Sequence, residues 1–100
     1  MSQSGNTFVG KSASIINDES YYYIGLKGSP FGAVSFVVGL NSDEILALSE
    51  RFPKSEAKVS NGIMITGPPL SVINALAELG YRVIGTTGDI EIFWTLRREL

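Results

Sequence analysis

Alternating apolar and polar positions recur along the chain in short segments, which predicts six β-strands. The predicted strands cover residues 21–27, 33–40, 57–60, 63–66, 81–87 and 90–97. The last segment has the clearest period of two, because Ile90, Ile92, Trp94 and Leu96 alternate with Glu91, Phe93, Thr95 and Arg97. Turn residues separate the segments, and Asn61-Gly62 has the composition of a tight type I′ hairpin turn.

Two further segments show helical periodicity. In the first, Asn41 and Glu44 have the spacing of a capping box, and Pro53 marks the end of the helix. Its apolar positions are Ile45, Leu48 and Phe52. In the second, Pro68 and Pro69 suit a first turn, and Gly80 suits a left-handed cap. Its predicted apolar stripe is Leu70, Ile73, Leu76 and Ala77, widened by Val72 and Leu79.

The resulting order, ββαββαββ, predicts an α+β domain over residues 21–100. We expect a mainly antiparallel six-stranded sheet with two helices on one face. The other face would carry large side chains such as Tyr23, Tyr81 and Phe93, which favours a subunit interface on the sheet. Residues 1–20 are rich in Ser, Asn and Gly, and we expect a flexible N-terminal extension there.

Composition narrows the function. The chain has 100 residues, 44% of them hydrophobic and 18% charged, which suits one folded domain. It contains neither Cys nor His, so we expect no enzyme, no metal site and no cofactor. The net charge of −2 argues against a nucleic-acid partner. Without a long apolar run or a signal peptide, we expect a cytoplasmic protein and no membrane partner.

Three motifs invite a functional interpretation but have simpler explanations. Residues 5–12 match the G-x-x-x-x-G-K-[ST] phosphate loop, but no strand can precede Gly5, so we interpret them as part of the extension. Tyrosines 21–23 could stack on a planar ligand, but we favour a strand whose tyrosine side chains extend from the core to its rim. Asp43 and Glu44 suit the positive end of a helix dipole and need no catalytic role.

The predicted turn between the last two strands is a candidate binding site. Thr86, Thr87, Gly88 and Asp89 place hydroxyls, a carboxylate and a glycine at one hairpin tip. Such a tip can bind an amino group or another backbone. Turn chemistry alone also explains Gly and Asp, so both interpretations stay open.

Part of the chain resembles a known family. The segments Leu79-Gly80-Tyr81-Arg82-Val83, Thr87-Gly88 and Trp94-Thr95-Leu96-Arg97-Arg98-Glu99 resemble the C-terminus of the GTP cyclohydrolase I feedback regulatory protein family. Val38-Gly39, Ser42-Asp43, Asn61 and Pro68-Pro69 match in the same order. The resemblance covers about residues 21–100.

The resemblance implies a non-catalytic regulator that binds GTP cyclohydrolase I as a homopentamer. It implies feedback inhibition by tetrahydrobiopterin and stimulation by phenylalanine. The expected effector or partner contacts are Thr87, Gly88, Asp89, Ile90 and Glu91. The interface candidates are Arg82, Trp94, Arg97 and Arg98, with the core as the alternative for Trp94 and solvated edge positions as the alternative for the arginines.

The chain departs from the family at the predicted hairpin turn. The turn is one residue shorter, and Asp89-Ile90-Glu91 brings carboxylates where the family has a polar amide. A carboxylate attracts the ammonium group of an amino acid and repels its carboxylate. The alternative function is therefore an oligomeric module that senses a small molecule such as an amino acid, without a cyclohydrolase partner.

Overall fold

The computed structural model describes residues 20–59 and 62–100, with the backbone alone for 57–59. Its elements are β1 (Tyr21–Gly28), β2 (Ser35–Val38), α1 (Ser42–Arg51), β3 (Glu56–Val59), β4 (Gly62–Ile65), α2 (Pro69–Glu78), β5 (Arg82–Gly88) and β6 (Ile92–Glu99). The predicted extension up to residue 19, the match to the phosphate loop and the turn residue Asn61 lie outside the described residues.

The strands form one antiparallel sheet in the spatial order β3-β4-β2-β1-β6-β5. Its central pair is β1 with β6, which runs in register from Tyr21 opposite Glu99 to Gly28 opposite Ile92. The α+β class, the antiparallel sheet and the two helices are confirmed. Strands β1 and β6 therefore lie side by side, and this pairing brings together residues distant in sequence.

The core lies between one face of the sheet and the two helices. Its fully buried members include Leu26, Val37, Ile63, Ile65 and Leu96 from the strands, with Val72 and Leu76 from α2. Leu48 of α1 joins the same cluster, with only 2% of its surface exposed. Burial of this apolar surface is the main force that holds the helices on the sheet.

The capping box predicted at the start of α1 is present. The Asn41 side chain accepts a hydrogen bond from the Glu44 backbone N–H at 2.8 Å, and Glu44 Oε1 accepts one from the Asn41 N–H at 3.1 Å. These two bonds satisfy N–H groups that have no partner within the helix. The helix ends at Arg51, and Phe52 is its C-cap, directly before Pro53.

The predicted apolar stripe of α2 is wrong in part. Leu70 is 57% exposed and Ala77 is exposed, whereas the buried residues are Pro69, Val72, Ala75 and Leu76. The helix is apolar on most of its circumference, so periodicity alone left its rotation ambiguous by one position. Gly80 does adopt the positive φ, +95°, that was expected of the residue after this helix.

The β5–β6 turn also differs from the prediction. Ile90 and Glu91 lie in the turn with Asp89, and β6 begins only at Ile92. Gly88 pairs with Ile92 and has a φ of +119°, and a Cβ there would collide with the Glu91 carbonyl oxygen. A positive φ and this close approach both require glycine. The turn is longer than predicted because Gly88 is the last paired residue of β5 and does not lie in the turn itself.

Candidate functional site

A cleft of about 480 Å³ opens beside the β5–β6 turn, on the face of the sheet opposite the helices. Strand pairing places Lys27 opposite Phe36, and Phe36 opposite Met64, so these side chains form a row across three strands. The other lining residues are Gly28, Ser29, Gly32, Ala33, Val34 and Glu91. We call this the Lys27–Glu91 cleft.

Two opposite charges mark the edge of this cleft. The Nζ atom of Lys27 lies 3.9 Å from Oε1 of Glu91, and both side chains are more than half exposed. An exposed pair at this distance contributes little to folding, and water solvates both groups. The Ser29 hydroxyl also donates a hydrogen bond of 3.4 Å to the Ile90 carbonyl, which links the β1–β2 loop to the turn. Both charges are therefore available to a ligand.

The rest of the cleft is mostly apolar. Phe36 and Met64 are half-buried in its floor, and Val34 is 45% exposed. Apolar and aromatic walls with a few polar groups are typical of sites for small molecules. The arrangement can hold an apolar side chain against the sheet while a zwitterionic head group meets the two charges.

The structure places only one of the five predicted effector or partner contacts in this cleft. Glu91 lines it, whereas Thr87, Gly88 and Asp89 are exposed on the hairpin outside it, and Ile90 is 83% exposed at the tip. Sequence reasoning missed Lys27, Phe36 and Met64. The alternation in residues 21–27 could have indicated the face on which Lys27 lies, but only the β1–β6 pairing shows that Glu91 is its neighbour.

A second cleft, of about 610 Å³, lies at the opposite end of the β1–β6 pair. It is lined by Tyr21, Glu44, Leu79, Gly80, Arg82, Arg97, Arg98 and Glu99. Three of the four interface candidates therefore meet there, and we call it the arginine cleft. The fourth candidate, Trp94, is only 8% exposed and belongs to the core, which was the alternative for this residue.

A buried polar cluster forms one wall of the arginine cleft. The Tyr81 hydroxyl donates to the Glu44 carboxylate, with oxygens at 2.9 and 3.0 Å, and Arg98 Nε donates to Glu44 Oε2 at 3.1 Å. The Arg98 guanidinium also lies 4.8 Å from the centre of the Tyr22 ring. Burial, followed by the hydrogen bond to Glu44, raises the pKa of the Tyr81 phenol well above its usual value. These groups satisfy one another, so the cluster is structural.

Within residues 20–59 and 62–100, His, Cys, Asp and Glu form no group of three that could hold a metal ion. Over the same residues, neither helix is long and apolar enough to cross a membrane. No family model, curated protein or solved structure matches this chain. Function must therefore be inferred from the two clefts.

Proposed function

We propose that this chain is a non-catalytic regulatory protein that binds an amino acid with an apolar side chain in the Lys27–Glu91 cleft. The observation that carries the proposal is one pair of opposite, exposed charges beside an apolar floor. Glu91 would accept hydrogen bonds from the ligand's ammonium group, and Lys27 would donate to its carboxylate. Phe36 and Met64 would contact the apolar side chain.

Lys27 supplies what the turn sequence alone lacks. Asp89 and Glu91 can attract an ammonium group but repel a carboxylate. With Nζ of Lys27 at 3.9 Å from Glu91 Oε1, the cleft presents both signs within reach of one amino acid. Because the two side chains are exposed, a ligand can replace their weak contact with two charge-assisted hydrogen bonds.

The resemblance to the feedback regulatory family gives this proposal its specific form. In that form the chain binds GTP cyclohydrolase I in the cytoplasm. Phenylalanine is the amino acid and stimulates the complex, and tetrahydrobiopterin inhibits it. A homo-oligomer, a pentamer by the same resemblance, would cover exposed apolar groups such as Tyr23 and Phe31, which are 44% and 100% exposed. The alternative is an amino-acid sensor without a cyclohydrolase partner, and it uses the same cleft.

The first experiment is calorimetric titration of the purified chain with L-phenylalanine. We expect Lys27→Met and Glu91→Gln each to weaken binding about tenfold, which corresponds to one charge-assisted hydrogen bond of about 1.5 kcal/mol. Lys54→Met is the matched control, because Lys54 is an exposed lysine outside the cleft. Equal weakening by all three variants, or no binding by the wild type, would contradict the proposal.

Ligand analogues assign each charge. Phenethylamine lacks the carboxylate, so Lys27→Met should leave its affinity unchanged while Glu91→Gln weakens it. For 3-phenylpropionate, which lacks the ammonium group, the pattern should reverse. If both variants change the affinities for the two analogues in the same way, the charges act only through the overall field of the protein.

A separate assay tests the partner. GTP cyclohydrolase I from the same source would be assayed with and without this chain, each with added tetrahydrobiopterin or phenylalanine. A response that requires the chain and is lost in Glu91→Gln supports the regulator. Amino-acid binding with no effect on the enzyme and no complex on a sizing column supports the sensor instead.

A further inference from the structure

The arginine cleft contains two positive charges that the Lys27–Glu91 cleft does not use. Arg82 of β5 and Arg97 of β6 are direct cross-strand partners, which places like charges opposite each other. Such a pair destabilises a sheet unless something neutralises it. Among the described residues, no carboxylate lies within 4 Å of either guanidinium.

The neighbouring Arg98 differs in this respect. Its charge is met by the buried Glu44 carboxylate, with Nε and Oε2 3.1 Å apart. Glu99 also lines the cleft, where it carries a negative charge that would oppose an anion. The cleft thus combines one neutralised arginine, two arginines without an ion pair and one exposed carboxylate, so its free charge is positive.

The Arg97 guanidinium is also oriented. Its central carbon lies 3.9 Å from the centre of the Tyr21 ring, which is stacking distance. Stacking uses the flat face of the guanidinium, while its N–H donors lie in the plane and stay free. Tyr21 therefore reduces the conformational freedom that Arg97 would lose on binding a ligand, which favours binding.

We propose that the arginine cleft binds a phosphate monoester. A dianion matches the two unpaired arginines, and the fork of N–H donors on each guanidinium suits phosphate oxygens. The organic group of the ester would lie over Leu79 and Gly80, which together with Tyr21 are the uncharged residues of the lining. This site lies at the far end of the β1–β6 pair from Lys27 and Glu91, so the inference does not rest on the amino-acid proposal.

The test is titration of the full chain with inorganic phosphate and with phenyl phosphate at pH 7.5, where both are mainly dianions. We expect Arg82→Gln and Arg97→Gln each to weaken binding about tenfold, the effect of one charge-assisted contact. Glu99→Gln should strengthen binding several-fold, because it removes a repelling charge. Tighter binding of phenyl phosphate than of inorganic phosphate identifies the ester as the ligand. Equal binding of the two would mean that the site recognises free phosphate, and it would overturn the proposal of an ester ligand.

Arg51→Gln is the matched control. Arg51 is an exposed arginine on α1, away from the cleft and paired with Glu78. If this variant weakens phosphate binding as much as Arg82→Gln does, or if sulfate and succinate bind as well as phenyl phosphate, only general charge attraction is present and the site is refuted.

Thermal unfolding gives a second readout that does not depend on detecting weak binding heats. Without phosphate, Arg82→Gln should unfold at a higher temperature than the wild type, because the repulsion from Arg97 is removed. Added phenyl phosphate should raise the midpoint of the wild type by linkage and raise that of the variant by a smaller amount. A rise of the same size in both proteins would overturn the proposal.

Discussion

The two ends of the β1–β6 pair each hold an ion pair, and the two pairs differ in almost every other respect. Arg98 and Glu44 are 3.1 Å apart, with 23% and 10% of their side chains exposed. Lys27 and Glu91 are 3.9 Å apart, with 53% and 59% exposed. The first pair has further partners in Tyr81 and the α1 capping box, whereas the side chains of the second pair make no hydrogen bond among the described residues.

This difference in burial distinguishes an ion pair that stabilises the fold from one that is available to bind a ligand. A buried charge must be fully paired, because removal of one partner leaves the other desolvated and uncompensated. A ligand could displace such a partner only at high cost. An exposed pair keeps most of its hydration, so an exchange of partners costs little. The same chemical groups therefore fix the fold at one end and leave a cleft open to ligands at the other.

The largest effect is expected from Glu44→Ala. The change removes the acceptor of Tyr81, the partner of Arg98 and half of the capping box, and it leaves Arg98 without a carboxylate. We expect a loss of about 2–3 kcal/mol in the free energy of unfolding, measured with urea. Glu50→Ala, at an exposed position of the same helix, is the control and should change stability by less than about 0.5 kcal/mol. Similar values for the two variants would show that the buried cluster contributes nothing.

Tyr81→Phe should have the next largest effect, because it removes one hydrogen bond to a carboxylate and leaves the ring in place. We expect a loss of about 1.5 kcal/mol at pH 8. The phenol ionises near pH 10 in the unfolded chain, and burial raises its pKa in the folded protein. The folded state thus binds more protons above pH 10, so the wild type loses stability there relative to the variant.

Urea unfolding of both proteins from pH 8 to pH 11 measures this relation. The advantage of the wild type should be constant up to about pH 9.5 and should shrink as the pH rises further. An advantage that grows with pH would mean that the folded phenol ionises more easily than the unfolded one, and would contradict the burial of the hydroxyl at Glu44.

Whether the sequence predicts a contact at either end of the β1–β6 pair depends on how far apart the two contacting residues are along the chain. The Asn41–Glu44 capping box was predicted because its partners are three residues apart. The bonds that Tyr81 and Arg98 donate to Glu44 were not predicted, because they span 37 and 54 residues and form only when α1 packs on the sheet. Local spacing encodes caps and turns, whereas such contacts exist only once the chain is folded.

The Lys27–Glu91 cleft shows the same limit. Glu91 was expected to contact a ligand, on the strength of the hairpin composition and the family resemblance. Its partner Lys27 comes 64 positions earlier, at the end of a segment for which the sequence predicts only a strand. Alternation gave the positions that share a face, but strand order decides which of them meet, and periodicity carries no information on strand order.

The smallest effect is expected for the coupling between Lys27 and Glu91. A double-mutant cycle with Lys27→Met and Glu91→Gln should give a coupling free energy below about 0.5 kcal/mol in unfolding, as for other exposed pairs. The equivalent cycle with Arg98→Met and Glu44→Gln should exceed about 1.5 kcal/mol, because both groups are largely buried. Saturating phenylalanine should increase the loss of unfolding free energy in each single variant, since loss of either charge weakens the binding that stabilises the folded state. Strong coupling of Lys27 and Glu91 without ligand would mean that the pair already acts as a structural contact, and the contrast between the two ends of the sheet would then fail.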